Sequence, residues 1–275
     1  MSIENKYTRM FMDELLLAPD ADSQLEEMRK CGALANVFPV VQAMVGFGGG
    51  TTGHKDLWEH TKKVVVQVEP RLPIRWAALF HDVGKVITIS SKGKVSFHGH
   101  EAVSEKLFHI TARRLDMFMH SELKQIMDII YNVGHVESYG PSWTDSAVRR
   151  IDKQMGASLL TDLMALARGD VTTKHQSKRD RYLAHLNEFE ARVIELRRQD
   201  SIPPALPKGL GDAITKTLGI PPSPALGAVM GRLKAAVEAG EIPRNSEIQV
   251  YLGYLMDSRG ARWPRRDPQG AWLPR

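Results

Sequence analysis

The sequence contains very little cysteine and no long hydrophobic run. Cys31 is the single cysteine among 275 residues, which excludes an internal disulfide framework and a cysteine-based zinc site and favours a reducing compartment. No segment approaches the roughly 18 to 20 apolar residues of a membrane span, and the charged N-terminal stretch lacks the pattern of a signal peptide. We therefore expect a cytoplasmic protein that makes no membrane contact.

A strong charge of either sign is also missing. The chain has 37 Lys and Arg residues against 32 Asp and Glu residues, and its formal net charge is +5. A hydrophobic fraction of 43 % excludes a disordered chain. The small positive excess suits a polyanionic partner such as RNA, but many enzymes carry a similar charge for solubility alone. Composition therefore leaves the partner open.

Patterns typical of β-strands are rare. Apolar residues recur at helical spacing through nearly the whole chain, including one helix predicted over Leu34–Val45 and one that Ser23 is expected to cap. Only VITIS and VSF, joined by SKGK, predict a small β-hairpin. The sequence thus predicts an all-α bundle with one hairpin, and a Pro/Gly-rich break (SIPPALPKGLG) predicts a boundary. We expect a helical N-terminal segment (1–45), a main helical domain (46–200), a small C-terminal helical domain (205–257) and a basic irregular tail (258–275).

A His-Asp pair directly follows an apolar helix. His81 and Asp82 come at the end of RWAALF, where an isolated buried charge would be costly. Coordination of a divalent ion would compensate that cost, because imidazole and carboxylate together suit borderline and hard metals. Each residue alone is more often a helix cap or a satisfied core group, but the pattern recurs near other apolar segments and favours a shared metal site. The further candidates are His60, His100, His135 and Asp170.

The order of these residues resembles the HD superfamily of metal-dependent phosphohydrolases. The resemblance implies an HD-type helical domain and one or two divalent ions (Mn, Ni, Co, Fe, Mg or Zn). In a two-metal form, Asp82 would bridge ions about 3.5–4 Å apart. The four principal ligands correspond to His60, His81, Asp82 and Asp170, and the two extra ligands of two-metal members correspond to His100 and His135.

A closer resemblance covers residues from about 5 to 255. The strings GHKDLWEHT, RWAALFHDVGK, FHGHE, TDSAVRR, ARGDVTTKHQSKRDRYL and GEIP look like the HD-containing C-terminal region of the bacterial tRNA nucleotidyltransferase / poly(A) polymerase family. RKCGALANVFP resembles the helical neck that precedes this region. The nucleotidyltransferase head of that family is not recognisable in this sequence. We therefore do not expect CCA addition or poly(A) synthesis from it.

Several side chains near the expected ligands are candidates for substrate contact. Asp82 would orient the attacking water. Lys85, one turn beyond the His-Asp pair, would contact phosphate as a catalytic residue, although a solvated lysine at a helix end is equally consistent. The guanidinium fork suits phosphate, but a surface salt bridge explains an arginine on a helix at least as well. The remaining candidates for substrate binding are Arg149, Arg150 and His98.

The sequence thus predicts a metal-dependent phosphohydrolase. Its substrate would be a nucleotide or an RNA-end phosphoester, such as a 2′,3′-cyclic phosphate. One alternative is an RNA-binding or tRNA-binding accessory module that pairs with a separate nucleotidyltransferase, and another is a nucleoside-triphosphate hydrolase. The aligned set of six ligands favours an enzyme, because a pure scaffold has no physical need of it.

Overall fold

The computed structural model describes residues 3–48, 56–89, 96–173 and 175–256. Apart from an isolated bridge residue, Ser96, the regular elements of these residues are all helices, which confirms the all-α prediction. In the described part of the chain, no helix has the length and apolar character needed to cross a bilayer. The helices are α1 (Ile3–Leu17), α2 (Ala21–Lys30), α3 (Ala33–Val37), α4 (Pro39–Gln42), α5 (Leu57–Gln67), α6 (Leu72–Phe80), α7 (Lys85–Thr88), α8 (His100–Leu115), α9 (His120–Glu137), α10 (Asp145–Met155), α11 (Ala157–Asp170), α12 (Gln176–Ser201), α13 (Leu210–Leu218), α14 (Pro224–Glu238) and α15 (Ile248–Met256).

The chain divides into two compact units, Met1–Leu196 and Arg197–Arg275. The first is built around α6, an apolar helix that packs against α1, α5, α8, α9 and α11. Trp76 and Phe80 on α6 belong to a chain of ring contacts with centroids 5.1–6.3 Å apart. This packing holds the end of α6, where the His-Asp pair begins. The other rings in the chain are Phe38, Phe108 and Phe118.

Arg9 fastens α1 to the core. Its guanidinium donates to the carboxylates of Asp13 and Glu122 and to the Met117 carbonyl oxygen. The same group lies 4.3 Å from the centroid of the Phe118 ring. The side chain is only 11 % exposed. The planar fork satisfies several acceptors at once, which allows a charged side chain to lie at this depth.

Glu26 links α2 to α5, the helix that carries His60. Its carboxylate accepts hydrogen bonds from Trp58 Nε1 and Lys62 Nζ, both at 2.9 Å, and from Arg29 at 2.6 Å. These bonds, led by the one from Arg29, hold the pKa of the Glu26 carboxyl well below its usual range. The position of α5 therefore depends on a charged contact outside the apolar core.

The described residues contain no β-hairpin, so that part of the fold prediction was wrong. The first three residues of the expected first strand, 86–88, instead belong to α7, and residues 90–95, which include the SKGK turn, lie outside the described residues. Thr88 Oγ1 donates to the Gly84 carbonyl oxygen at 3.1 Å, and Gly84 N donates to Ser104 Oγ at 2.8 Å. Packing against α8 therefore overrides the strand preference of the β-branched residues, because strand propensity depends strongly on context.

Two predicted helix boundaries also differ. The helix expected over Leu34–Val45 is interrupted at Phe38, which has φ −127° and ψ 66°. Pro39 causes this break, because a proline disfavours the helical conformation in the residue before it. The preceding helix begins directly after Asp20, so Ser23 lies inside its first turn and is not its cap.

The second unit has an apolar core of its own. Helices α13, α14 and α15 enclose a cluster that includes Leu210, Val229 and Tyr251. The Tyr251 hydroxyl lies 3.0 Å from the Ala205 carbonyl oxygen and 3.1 Å from that of Pro243, and so ties the preceding loops to α15. The expected basic tail, 258–275, lies outside the described residues. The division into four segments stays a prediction.

Candidate metal centre

Three histidines turn the same ring atom toward one buried carboxylate. His81 and His100 each donate from Nδ1 to the carbonyl oxygen three residues earlier, at 2.8 and 3.0 Å. His60 Nδ1 lies 2.9 Å from Thr172 Oγ1. These contacts leave Nε2 of each ring facing Asp82. Outer partners of this kind are typical of metal-binding histidines, because they fix the orientation of the ring.

Asp82 lies at the centre of the cluster and its side chain is only 1 % exposed. Its Oδ2 lies 3.5 Å from Nε2 of both His60 and His81, and its Oδ1 lies 3.4 Å from His100 Nε2. Lys85 Nζ donates to Oδ2 at 2.7 Å. Potential ligand atoms of His60, His81 and Asp82 all lie within 4.8 Å of one another, as a single bound ion would require.

Asp170, the last residue of α11, joins the same cluster. Its Oδ1 lies 2.8 Å from His60 Nε2 and 3.2 Å from His81 Nε2. Gly169 makes this approach possible, because a Cβ at that position would lie 2.3 Å from Val68 Cγ1. Glycine therefore lets the end of α11 pack directly against the end of α5.

Gly84 has the same effect on the other side of the cluster. A Cβ at Gly84 would lie 2.3 Å from the His100 carbonyl oxygen and 2.8 Å from Ser104 N. The turn after the His-Asp pair can therefore touch the backbone of α8. This close approach sets the position of His100 relative to Asp82.

The charged groups of the cluster strongly shift one another's pKa values. Burial alone would lower the pKa of His81, but the Asp82 and Asp170 carboxylates outweigh it and raise that pKa to about 9. Burial would raise the pKa of Asp170, but hydrogen bonds from His60 and His81 hold it well below the usual range. The pKa of Asp82 is lowered as well, because nearby positive charge, first that of His81, outweighs its burial. The site therefore holds two carboxylates that need compensating positive charge.

A divalent cation fits this donor set. With Nδ1 as the donor, the Nε2 of a neutral His81 or His100 carries a lone pair that faces a carboxylate oxygen. Two such lone pairs repel each other unless a proton or a cation lies between them. The residues that could hold the ion are His60, His81, Asp82 and Asp170, with His100 on the far side of Asp82. Imidazole and carboxylate donors suit Zn, Ni, Co, Fe, Mn or Mg.

His135 is a predicted ligand for which the described residues show no polar contact with this cluster. It is half-buried on α9, with its ring 5.8 Å from that of Tyr131. Among the described residues, no hydrogen bond or ion pair joins it to Asp82 or Asp170. Its predicted role in a second metal site stays a prediction.

The predicted substrate contacts are spread over several elements. Lys85 lies at the cluster, where its ammonium pairs with Asp82. His98 is exposed in the turn before α8. Arg149 and Arg150 lie on α10, and Arg150 is exposed. Their roles toward a substrate stay predictions.

Two residues near the cluster were missed by the sequence analysis. Thr172 orients His60, and Glu137 borders the same pocket as Asp170. Glu137 is exposed at the end of α9. The available signal for Thr172 was a hydroxyl two residues after the predicted ligand Asp170, whereas the sequence around Glu137 offered none.

A cavity of about 240 Å³ opens beside Asp170. It lies in the first unit, where the ends of α9 and α11 meet the start of α12. Its wall combines apolar side chains with hydroxyl and carboxylate groups. The residues that line it with Asp170 are Glu137, Ala167, Val171, Thr172, Thr173, Tyr182 and Leu186.

The sequence of the chain is similar to those of several known proteins. It is 27 % identical over 265 residues to the A-adding tRNA nucleotidyltransferase of Deinococcus radiodurans, which covers 92 % of this chain and 57 % of that protein. It is also 27 % identical over 256 residues to the CC-adding tRNA nucleotidyltransferase of Thermus thermophilus, covering 90 % of this chain and 56 % of the relative. Over most of its length, the chain is homologous to tRNA nucleotidyltransferases. No family model matches it.

A more similar but shorter match involves a third relative. The multifunctional CCA protein of Azoarcus sp. is 38 % identical over 93 residues, which is 32 % of this chain and 22 % of that protein. The chain spans little more than half the length of the two tRNA nucleotidyltransferases. The homology therefore concerns one part of those enzymes.

Proposed function

We propose that the chain is an HD-type, metal-dependent phosphohydrolase that acts on a nucleotide or an RNA-end phosphoester. The observation that supports it is the convergence of three Nε2 atoms and two carboxylates within a few ångströms, next to an open cavity. Homology to tRNA nucleotidyltransferases favours a substrate related to RNA.

Several residues would share the work of phosphoester hydrolysis. When bound, a divalent ion lowers the pKa of a coordinated water and offsets the charge that develops on the phosphoryl oxygens. His60, His81, Asp82 and Asp170 would hold it. Asp170 also lines the cavity, so a substrate there would lie beside the carboxylate that contacts two of the imidazoles.

Lys85 and the outer hydrogen bonds would prepare the site. The Lys85 ammonium donates to Asp82 Oδ2 and keeps that buried carboxylate charged and oriented. Thr172 and the backbone acceptors of His81 and His100 hold the rings in place. This arrangement needs little reorganisation when the ligands bind, which is the usual source of electrostatic catalysis.

The test is a metal-dependent assay on the purified chain. The protein is stripped with a chelator, reloaded separately with Mn, Ni, Co, Zn and Mg, and assayed with an aryl phosphodiester and with nucleoside 2′,3′-cyclic phosphates. We expect turnover with at least one metal, and a loss of 100-fold or more in Asp82→Asn and Asp170→Asn, as an order-of-magnitude estimate. His100→Ala should lose activity, and His109→Ala, a half-buried histidine on the same helix, is its matched control.

Two results would contradict the proposal. One is the absence of turnover with every metal and substrate. The other is full activity in Asp82→Asn. Elemental analysis of the variants adds an independent readout, because loss of bound metal in Asp82→Asn but not in His109→Ala identifies the cluster as the metal site.

A second candidate is an RNA-binding module, which the homology to tRNA nucleotidyltransferases over 92 % and 90 % of the chain favours. In that case tRNA should bind with an affinity that falls steeply with salt, because phosphate contacts release counterions. Tight binding to tRNA without metal-dependent turnover would favour this candidate over the phosphohydrolase.

A further inference from the structure

The cavity beside Asp170 has an aromatic wall that the metal chemistry does not explain. Tyr182 lies on the first turns of α12 and lines this cavity, yet 55 % of the residue is exposed. A large ring that packs into no core contributes little to folding. Its position in the wall of this cavity suggests contact with a ligand.

We propose that this cavity is the nucleobase subsite of the enzyme and that a base stacks on Tyr182 while its phosphoester lies at the metal centre. The inference rests on the proposed function and names its substrate class as a nucleoside phosphate. Each of the following observations concerns the cavity or the helix that borders it.

The size and lining of the cavity suit one base. Its volume of about 240 Å³ is below the roughly 300–1,000 Å³ of pockets that take drug-sized ligands, so it accommodates a single ring system. Apolar groups from Ala167, Val171 and Leu186 form part of the wall, and Thr172 and Thr173 bring hydroxyl-bearing side chains to it. A heteroaromatic base presents an apolar face and a polar edge, which matches this combination.

The helix beside the cavity also offers positive charge. Lys178, Tyr182 and Leu186 are spaced four residues apart on α12 and therefore lie on one face of it. Lys178 is exposed, one turn from the ring. A nucleotide whose base stacks on Tyr182 would thus have a cation on one side and the metal centre, through Asp170, on the other. An uncharged aromatic ligand would gain nothing from the Lys178 ammonium or from the metal centre.

The test compares a nucleotide with the same phosphate lacking its base. Binding of adenosine 5′-monophosphate and of ribose 5-phosphate is measured by isothermal titration calorimetry on the full chain, for the parent and three variants. Because stacking on an aromatic ring contributes about five- to 150-fold in affinity, we expect the parent to prefer the nucleotide by that factor. Tyr182→Ala should lose the preference, and Tyr182→Phe should keep it because it retains the ring.

Phe11→Ala is the matched control. Phe11 is equally exposed, at 55 %, and lies on α1. Its truncation should leave both affinities unchanged. Equal affinity of the parent for the two ligands, including no measurable binding of either, would overturn the base subsite, and so would an unchanged preference in Tyr182→Ala.

The two proposals fail separately. Turnover of phosphodiesters without a preference for the base would refute the subsite and leave the phosphohydrolase standing. A preference for the base that depends on Tyr182, in a protein without turnover, would refute the phosphohydrolase and keep the binding site.

Discussion

Gly84→Ala sets two opposing effects against each other at the edge of the metal centre. Gly84 has helical angles, φ −67° and ψ −21°, so intrinsic propensity alone would favour alanine by about 1 kcal/mol. The new Cβ, however, would lie 2.3 Å from the His100 carbonyl oxygen, whereas ordinary contacts begin at 3.4 Å. The obstacle is backbone, so the turn and α8 must move apart by roughly 1 Å. Such overpacking typically costs about 1–3 kcal/mol or more.

Because the two closest atoms, His100 O and Ser104 N, are backbone, we take the upper end of this range, about 3 kcal/mol. After the gain in propensity of about 1 kcal/mol is subtracted, we expect Gly84→Ala to lower the free energy of unfolding by about 2 kcal/mol. For a unit of this size, that corresponds to a decrease in Tm of about 4–8 °C. Thermal and urea unfolding followed by circular dichroism measure it. The variant should also bind metal more weakly, because His100 is displaced from Asp82.

The control is Gly231→Ala in α14, where a Cβ would meet no atom within 4 Å. It should stabilise its own unit by up to about 1 kcal/mol and leave metal binding unchanged. A Gly84→Ala protein as stable as the parent, with the parent's metal affinity, would refute the close packing between this turn and α8.

Three further predictions concern charged side chains. Glu26→Gln should lower the free energy of unfolding at pH 7 by about 1–2 kcal/mol. Because the pKa of Glu26 is depressed in the folded state, the difference in urea midpoint between the variant and the parent should shrink as the pH falls below about 4.5. A constant difference down to pH 3 would contradict this. Lys85→Met should destabilise the metal-free protein, because Asp82 loses the Lys85 ammonium at 2.7 Å from its Oδ2. Added metal should restore part of the loss in Tm. Equal losses with and without metal would argue against a cation site at Asp82. Arg9→Lys should lower the free energy of unfolding in urea by about 1–3 kcal/mol, because a single ammonium cannot replace a guanidinium that donates to three groups. An unchanged free energy would show that these bonds contribute little.

The helices could be predicted because their signals are local. Apolar spacing and capping residues act within one or two turns. Such spacing predicts helices at about 100–117, 157–168 and 176–199, close to the observed α8, α11 and α12. The hairpin could not be excluded in this way, because VITIS has genuine strand propensity. Its first residues are helical since Gly84 brings them against α8, a contact between segments that sequence periodicity does not contain.

The candidate site was predictable only in part. Residues that come after apolar runs, such as His81 and Asp170, stand out in the sequence. The structure places His81 Nε2 3.2 Å from Asp170 Oδ1. Their role as metal ligands stays a prediction. Glu137 was not recognised because nothing in its local sequence separates it from a surface carboxylate. His135, two residues earlier, had the stronger sequence signal, and its role as a ligand stays a prediction.

The site joins parts of the chain that are far apart in sequence. The contact between His60 and Thr172 spans 112 residues, and that between His81 and Asp170 spans 89. Closing such long loops is entropically costly and late in assembly. Occupancy by a coloured ion such as cobalt would therefore serve as an optical reporter of complete folding, silent in any intermediate in which the last turn of α11 has yet to reach α5.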